Sequence, residues 1–339
     1  MSLMIDGQLR DEDWLEKESN EGAFERMAST FRDWIDGAAG REHISAKGRY
    51  PAASGRYHLY VSLACPWAHR TLIYRRLKGL EEHIGVSVVH PYMGPEGWSF
   101  DHGEGVVPDP VFGVDHLYEL YARAEPQFTG IVTVPVLLDQ VSGQIVNNES
   151  SEIIRMLGRS FDHITGDSLD FYPEDLREEI DAINDEIYDN VNNGVYRCGF
   201  ARSQAAYDDA FDALFATLDR LEERLTDQPY LCGDRLTEAD WRLFTTLIRF
   251  DPVYLTHFKC NRQRLTEYPA LWAYTRLLYQ RPGIAETVDL EHIRNHYYRS
   301  HPQLNPAGIV PGGPRIDLDT PHGRPLGDIP DSLRLPDEK

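Results

Sequence analysis

An α/β domain followed by an all-α domain is the fold class this sequence predicts. Three observations predict it. Short strand patterns alternate with helical ones between residues 56 and 148. From about residue 170 onward the apolar residues repeat at helical spacing. The length, 339 residues, is enough to bury two separate cores.

Residues 1–55 form a polar N-terminal extension with one helical pattern, "FERMASTFRDWI". "RYHLYVSL" (56–63) predicts a strand, with Tyr57, Leu59, Val61 and Leu63 alternating against polar or neutral neighbours. "PWAHRTLIYRRLKGL" predicts a helix with proline in its first turn, where the missing N–H costs nothing. "GVSVVHPY" gives a second strand, and "VDHLYELYARA" a short helix. "TVPVLLD" and "QIVNN" read as two strands joined by "QVSGQ", and a helix begins near "ESSEIIRMLG". The order β-α-β, a connection, then β-β-α is the thioredoxin-like arrangement, expected over 56–160. In it Val134-Pro135 is a candidate cis peptide that would bring backbone groups beside Cys65. Glu149 and Ser150 stand at a helix N-terminus, whose free N–H groups favour an anion.

The helical domain is expected over 170–300. Ile180, Ile183, Ile187 and Val191 keep helical spacing, as do Tyr207, Phe211, Leu214, Leu218, Leu221 and Leu225. "LTEADWRLF" offers Thr237 as a cap with Asp240 three residues on. Further helices are expected at 268–280 and 289–299. Residues 301–339, rich in Pro, Gly and Asp, predict an extended or partly disordered tail.

The 55 acidic residues outnumber the 34 basic ones, for a net charge of −21. Such a surface repels nucleic acid and anionic membranes. Only five of the cations are Lys, leaving 29 Arg, and an acidic, lysine-poor surface resembles proteins of salt-loving microbes. The N-terminus lacks the basic-then-apolar pattern of a signal peptide and no long apolar run occurs, so a cytoplasmic protein is expected.

Four cysteines, at 65, 198, 232 and 260, show neither CxxC nor zinc spacing. Cys198, Cys232 and Cys260 read as small buried residues. Cys65 stands apart, at the mouth of a strand-to-helix turn, where the helix dipole and free amides favour the thiolate. Ala68 fills the position of a second cysteine. A mixed disulfide on Cys65 must then be cleared by a second small thiol, which is monothiol chemistry.

"CPWAHR", "TVPVLLD", "IVNNESSEIIRML", "NNGVYRCGFA" and "HYYRSH" with the following "LNP" and "GIVP" together resemble the glutathionyl-hydroquinone reductases, the Xi-class glutathione transferases, over nearly the whole chain. The resemblance implies a glutathione transferase fold, a homodimer, and reduction of a glutathionyl-hydroquinone, with a small-molecule thiol consumed and a disulfide released. It implies Cys65 as the nucleophile that takes the glutathionyl sulfur, and Trp98 as the ring packed on the thiol co-substrate. Ile131, Val132, Thr133 and Val134 would line that thiol, with Val134 pairing its backbone. Glu149 and Ser150 would hold its γ-glutamyl end. Tyr196 is implied as proton donor to the ring carbon, with Tyr254 and Tyr297 lining the site. One departure stands out: the family often has Arg where this chain has Ile131. The lost cation is a lost carboxylate partner. With the halophile-like composition, it points to γ-glutamylcysteine, which lacks the glycine carboxylate, as the alternative to glutathione.

Two other functions compete: an Omega-type thiol transferase or dehydroascorbate reductase, which would use Cys65 without the tyrosines, and a non-enzymatic scaffold. His292 and His296, at i and i+4, have a zinc-compatible spacing, but no HExxH motif or nearby Cys completes a set, so no metal is expected. His69, one turn after Cys65, reads as a packing or capping residue of the first helix.

Overall fold

A computed structural model describes residues 3–10, 19–37 and 50–338. Residues 11–18 and 38–49 of the expected extension lie outside the described residues. These described residues form two units. The first comprises 3–10, 26–37, 50–169 and 289–309, and the second 19–25, 170–288 and 310–338.

In the first unit, strands β1 (Leu3–Ile5) and β2 (Gln8–Arg10) form a hairpin. β1 also pairs antiparallel with β7 (Gly130–Ile131). The central sheet contains β5 (Tyr57–Val61), β6 (Ile84–Val88), β8 (Val136–Asp139) and β9 (Gln144–Asn147), in the order β6-β5-β8-β9. β5 and β6 are parallel, and the other pairs are antiparallel. Helices α1 (Pro66–Leu77), α2 (Leu117–Ala124), α3 (Ser150–Arg159) and α4 (Asp162–Thr165) complete the thioredoxin-like order. Asp139, fully buried, accepts two hydrogen bonds from Arg56 at 2.8 and 2.7 Å and holds the β8–β9 turn through Ser142 and the Val141 N–H.

The alternation in β5 suggests one polar face, but every residue of the strand is buried. β5 is an interior strand, and its polar side chains meet Ser87 of β6 and Asp109 of the loop that follows β6. His58 bonds Ser87 Oγ at 2.8 Å, and Tyr60 donates to Asp109 at 2.7 Å. Burial, with Arg75 nearby, pushes the His58 imidazole down to about 4.

"FERMASTFRDWI" does not form the expected helix. Its backbone groups find partners on the sheet instead. The Asn148 N–H donates to the Phe31 carbonyl (3.1 Å), the Phe31 N–H to Asn148 Oδ1 (3.1 Å), and Asn147 Nδ2 to the Asp33 carbonyl (3.0 Å). Arg32 adds an ion pair with Glu152. Tertiary pairing satisfies the segment better than its own weak helical propensity.

The second unit holds β3 (Ser19–Asn20) and β4 (Ala23–Phe24), then α5 (Arg177–Ile187), α6 (Gly194–Phe200), α7 (Gln204–Asp227), α8 (Glu238–Arg249) and α9 (Pro269–Tyr279). π-helical turns at Tyr188–Asn192 and Phe250–Tyr254 follow α5 and α8. Such turns recur at functional sites and leave no simple period in the sequence. Thr237 and Asp240 form the expected capping box at α8. Helix α10 (Leu290–Ser300) belongs to the first unit, not to the helical one expected to run to 300. Its composition alone could not show which core receives its buried face. The chain beyond 310 is anchored in the second unit by Arg281, which is fully buried and pairs with Glu338 at 2.7 and 2.8 Å. Arg324 adds bonds to the Leu225 and Gln228 carbonyls, each 2.7 Å. No helix of the described residues is long and apolar enough to cross a membrane.

Candidate active site

Strand β5 ends at Val61, and a turn at Ser62 delivers the chain to α1. The Ser62 carbonyl accepts the Cys65 N–H at 3.1 Å, and its hydroxyl accepts the Ala64 N–H at 3.2 Å. Cys65 is the N-cap of α1, with Pro66 in the first helical position and the Cys65 carbonyl accepting the His69 N–H at 3.0 Å. Its side chain takes no part in capping. The sulfur instead meets the Val134 carbonyl oxygen at 3.5 Å, and the Val134–Pro135 peptide is cis. Cys65 is half-buried, whereas Cys198, Cys232 and Cys260 are buried, and none of the four is in a disulfide. Burial pushes the Cys232 thiol up to about 12 and the Cys260 thiol well above its usual range, so both stay protonated. Ala68 is wholly buried where a second active cysteine would stand, and His69 is buried in the same helix.

The 131–134 segment is held by Tyr121, a side chain that belongs to no motif in the sequence. Tyr121 donates its hydroxyl to the Thr133 carbonyl at 2.8 Å, and accepts from the Thr133 N–H (3.3 Å) and Asn148 Nδ2 (3.2 Å). One buried phenol thus ties Thr133 to the residue before Glu149. Ile131 pairs with Leu3 of the N-terminal hairpin, and both Ile131 and Val132 are buried.

Glu149 caps α3, its Oε1 accepting the Ser151 N–H at 3.0 Å and the Ser151 hydroxyl at 2.9 Å. Oε2 accepts the Ser29 hydroxyl at 3.0 Å. Burial pushes the Glu149 carboxyl up, but these donors and the Arg70 charge outweigh it and hold the group below its usual value. Arg70, buried, reaches Ser150 Oγ at 3.4 Å and lies 4.7 Å from the Trp67 ring centre, while Arg26 lies 5.1 Å from the same ring. A half-buried carboxylate and a buried guanidinium whose charge acts on it therefore both serve the α3 N-terminus.

Trp98 is buried in the first unit and stacks on His296, ring centres 4.7 Å apart and planes at 24°. Tyr297 stands edge-on to His296 at 5.2 Å. The paired histidines point to carbonyls: His292 Nε2 bonds the Glu104 oxygen at 2.7 Å, and His296 Nδ1 the Pro91 oxygen at 3.0 Å. Tyr196 and Tyr254 come together in the second unit, ring centres 6.1 Å apart, with Phe258 at 5.3 Å from Tyr196 and stacked on Tyr254 at 5.5 Å. Gly199 makes this possible, since a Cβ there would lie 2.3 Å from the Phe258 ring.

The glutathione S-transferase N-terminal domain family matches residues 64–160, and the glutathione S-transferase C-terminal domain family matches 204–277. Glutathionyl-hydroquinone reductase YqjG of Escherichia coli is 53% identical over 96% of this chain and 98% of its own. Glutathionyl-hydroquinone reductase PcpF of Sphingobium chlorophenolicum is 51% identical over 94% and 98%. Among solved structures, the Xi class transferase of Natrialba magadii aligns with a TM-score of 0.86 at 49% identity, covering 95% of this chain and 96% of that one. Identity of this extent, over both domains and alongside the cysteine-capped helix, shows that the chain belongs to the glutathionyl-hydroquinone reductases, the Xi class of glutathione transferases.

Proposed function

We propose that this chain reduces glutathionyl-hydroquinones to hydroquinones, with a small thiol as reductant. The observation that carries the reading is Cys65: a half-buried thiol on the N-cap residue of a helix, against the Val134 carbonyl, with alanine in place of a resolving cysteine. The Cys65 thiolate attacks the adduct's sulfur. The sulfur–carbon bond breaks, its electron pair stays on the ring carbon, and Tyr196 supplies the proton. Cys65 is left in a mixed disulfide with the thiol. A second thiolate attacks that disulfide, releasing the low-molecular-weight disulfide and regenerating Cys65. Tyr254 and Tyr297 line the site and steady the developing charges.

The γ-glutamyl end of the thiol carries an ammonium and a carboxylate. Glu149 suits the first, and Ser150 with Arg70 at the α3 N-terminus suits the second. Val134 pairs with the peptide of the thiol, Ile131, Val132 and Thr133 run along it, and Trp98 packs on it. Glutathione is the first choice of thiol. Ile131, paired with the N-terminal strand, brings no cation for a glycine carboxylate, which makes γ-glutamylcysteine the alternative. Faster turnover with γ-glutamylcysteine supports that choice; equal turnover with both thiols counts against it. By family likeness we also infer a homodimer and a cytoplasmic setting, the first checked by light scattering.

The direct test is to incubate the protein with a glutathionyl-hydroquinone and either thiol, then quantify products by chromatography. One hydroquinone per disulfide is expected. Reduction of simple mixed disulfides with no hydroquinone released would make the chain a general thiol transferase instead.

A further inference from the structure

Three polar side chains lie at i, i+4 and i+8 along α10: His292, His296 and Ser300. Each bonds the backbone of the long loop between β6 and α2. His292 donates to the Glu104 carbonyl (2.7 Å), His296 to the Pro91 carbonyl (3.0 Å), and the Ser300 hydroxyl accepts the Met93 N–H (2.9 Å). A carbonyl can only accept, so these bonds place hydrogens on His292 Nε2 and His296 Nδ1. The approach is close: Gly105, at φ +72°, has no room for a Cβ, which would lie 2.6 Å from His292 Nε2. The same loop presents Trp98, whose indole lies flat on the His296 ring, and His296 adjoins Tyr297 both in sequence and edge-on in space.

We infer that His296 is a positioning residue of the thiol site. Its Nδ1–H to Pro91 fixes the imidazole plane, and that plane fixes the Trp98 indole. Tyr297 rides on the same helix turn, so the ring that meets the thiol and the phenol that lines the site are set by one element. The inference rests on the reading of Trp98 as the thiol's packing partner. It gives a structural role to two histidines of zinc-compatible spacing, each of which bonds a loop carbonyl. A residue that only filled space would be replaceable by any side chain of similar bulk. A positioning residue needs the hydrogen at the Nδ1 place.

The test compares His296→Leu, which keeps bulk, with His296→Asn, whose amide can donate from the same place. Glutathione affinity is measured by calorimetry on the full chain without turnover, and KM and kcat by product release. His296→Leu is expected to weaken glutathione binding and raise its KM about tenfold with kcat within about threefold, and His296→Asn to recover most of the loss. Ser300→Ala, a smaller change to the same set of loop bonds, is expected to raise KM two- to fourfold, roughly, and serves if the leucine variant does not fold. Unchanged affinity in His296→Leu, equal losses in the Leu and Asn variants, or a loss confined to kcat overturns the inference. If His296→Leu does not fold, an unchanged KM in Ser300→Ala overturns it. Wild type that binds glutathione yet releases no hydroquinone would sink the functional reading, while the binding comparison still decides the role of His296.

Discussion

Ser29 donates its hydroxyl to the Glu149 carboxylate at 3.0 Å, across 120 residues of sequence. The N-terminal segment thereby helps hold the carboxylate proposed to meet the γ-glutamyl ammonium, since Glu149 accepts its own cap bonds from Ser151 and a further bond from Ser29. Ser29→Ala removes a hydrogen bond to a charged group and lets the Glu149 carboxyl rise toward its ordinary value. The thiol KM is expected to rise about fivefold with kcat little changed. Initial rates at varied thiol check this, and an unchanged KM would place Glu149 away from the thiol.

Tyr196→Phe removes the proposed proton donor and keeps the ring that packs on Tyr254 and Phe258. Release of hydroquinone should slow by about 10²-fold, the usual scale of general acid catalysis. Reduction of a simple mixed disulfide should not change, because no carbon is protonated in that reaction. Tyr254→Phe should act in the same direction by less. Parallel assays with the two substrates separate the steps.

His58 links stability to pH. Its folded imidazole sits at about 4, chiefly through burial, against an ordinary 6.5. Between those values the unfolded chain binds a proton that the folded chain refuses, so stability falls as pH drops from 6.5 toward 4. Replacing His58 by Gln removes this contribution. Between pH 7 and 4.5 the variant should lose about 2–3 kcal/mol less stability than wild type. Urea unfolding at both pH values measures the difference, and identical losses would contradict it.

Local chemistry was legible in the sequence, and distant partnership was not. Cys65 and Pro66 announce a helix start because the signal is complete within a few residues, and Thr237 with Asp240 announces a capped one in the same way. Glu149 could be placed at a helix N-terminus for the same reason. Ser29, Tyr121 and His296 gave no comparable sign. Each acts on a backbone or side chain that only the fold brings near: Ser29 on Glu149, Tyr121 on Thr133 and Asn148, His296 on Pro91 and Trp98. The same cause explains the misread helix at 24–35, whose backbone pairs with Asn147 and Asn148, and the hidden second face of β5. The placement of α10 with the first unit is likewise a tertiary choice: its apolar spacing states that one face is buried, without saying where.

The measurement that tests the central claim most directly is a single turnover without free thiol. Wild type and Cys65→Ala are each mixed with one equivalent of a glutathionyl-hydroquinone, and both the intact protein mass and the released hydroquinone are read. Wild type should gain one glutathionyl group, mapped to Cys65, together with one equivalent of hydroquinone, and Cys65→Ala should show neither. Hydroquinone release with no group on Cys65, or release from Cys65→Ala at the wild-type rate, would contradict the account.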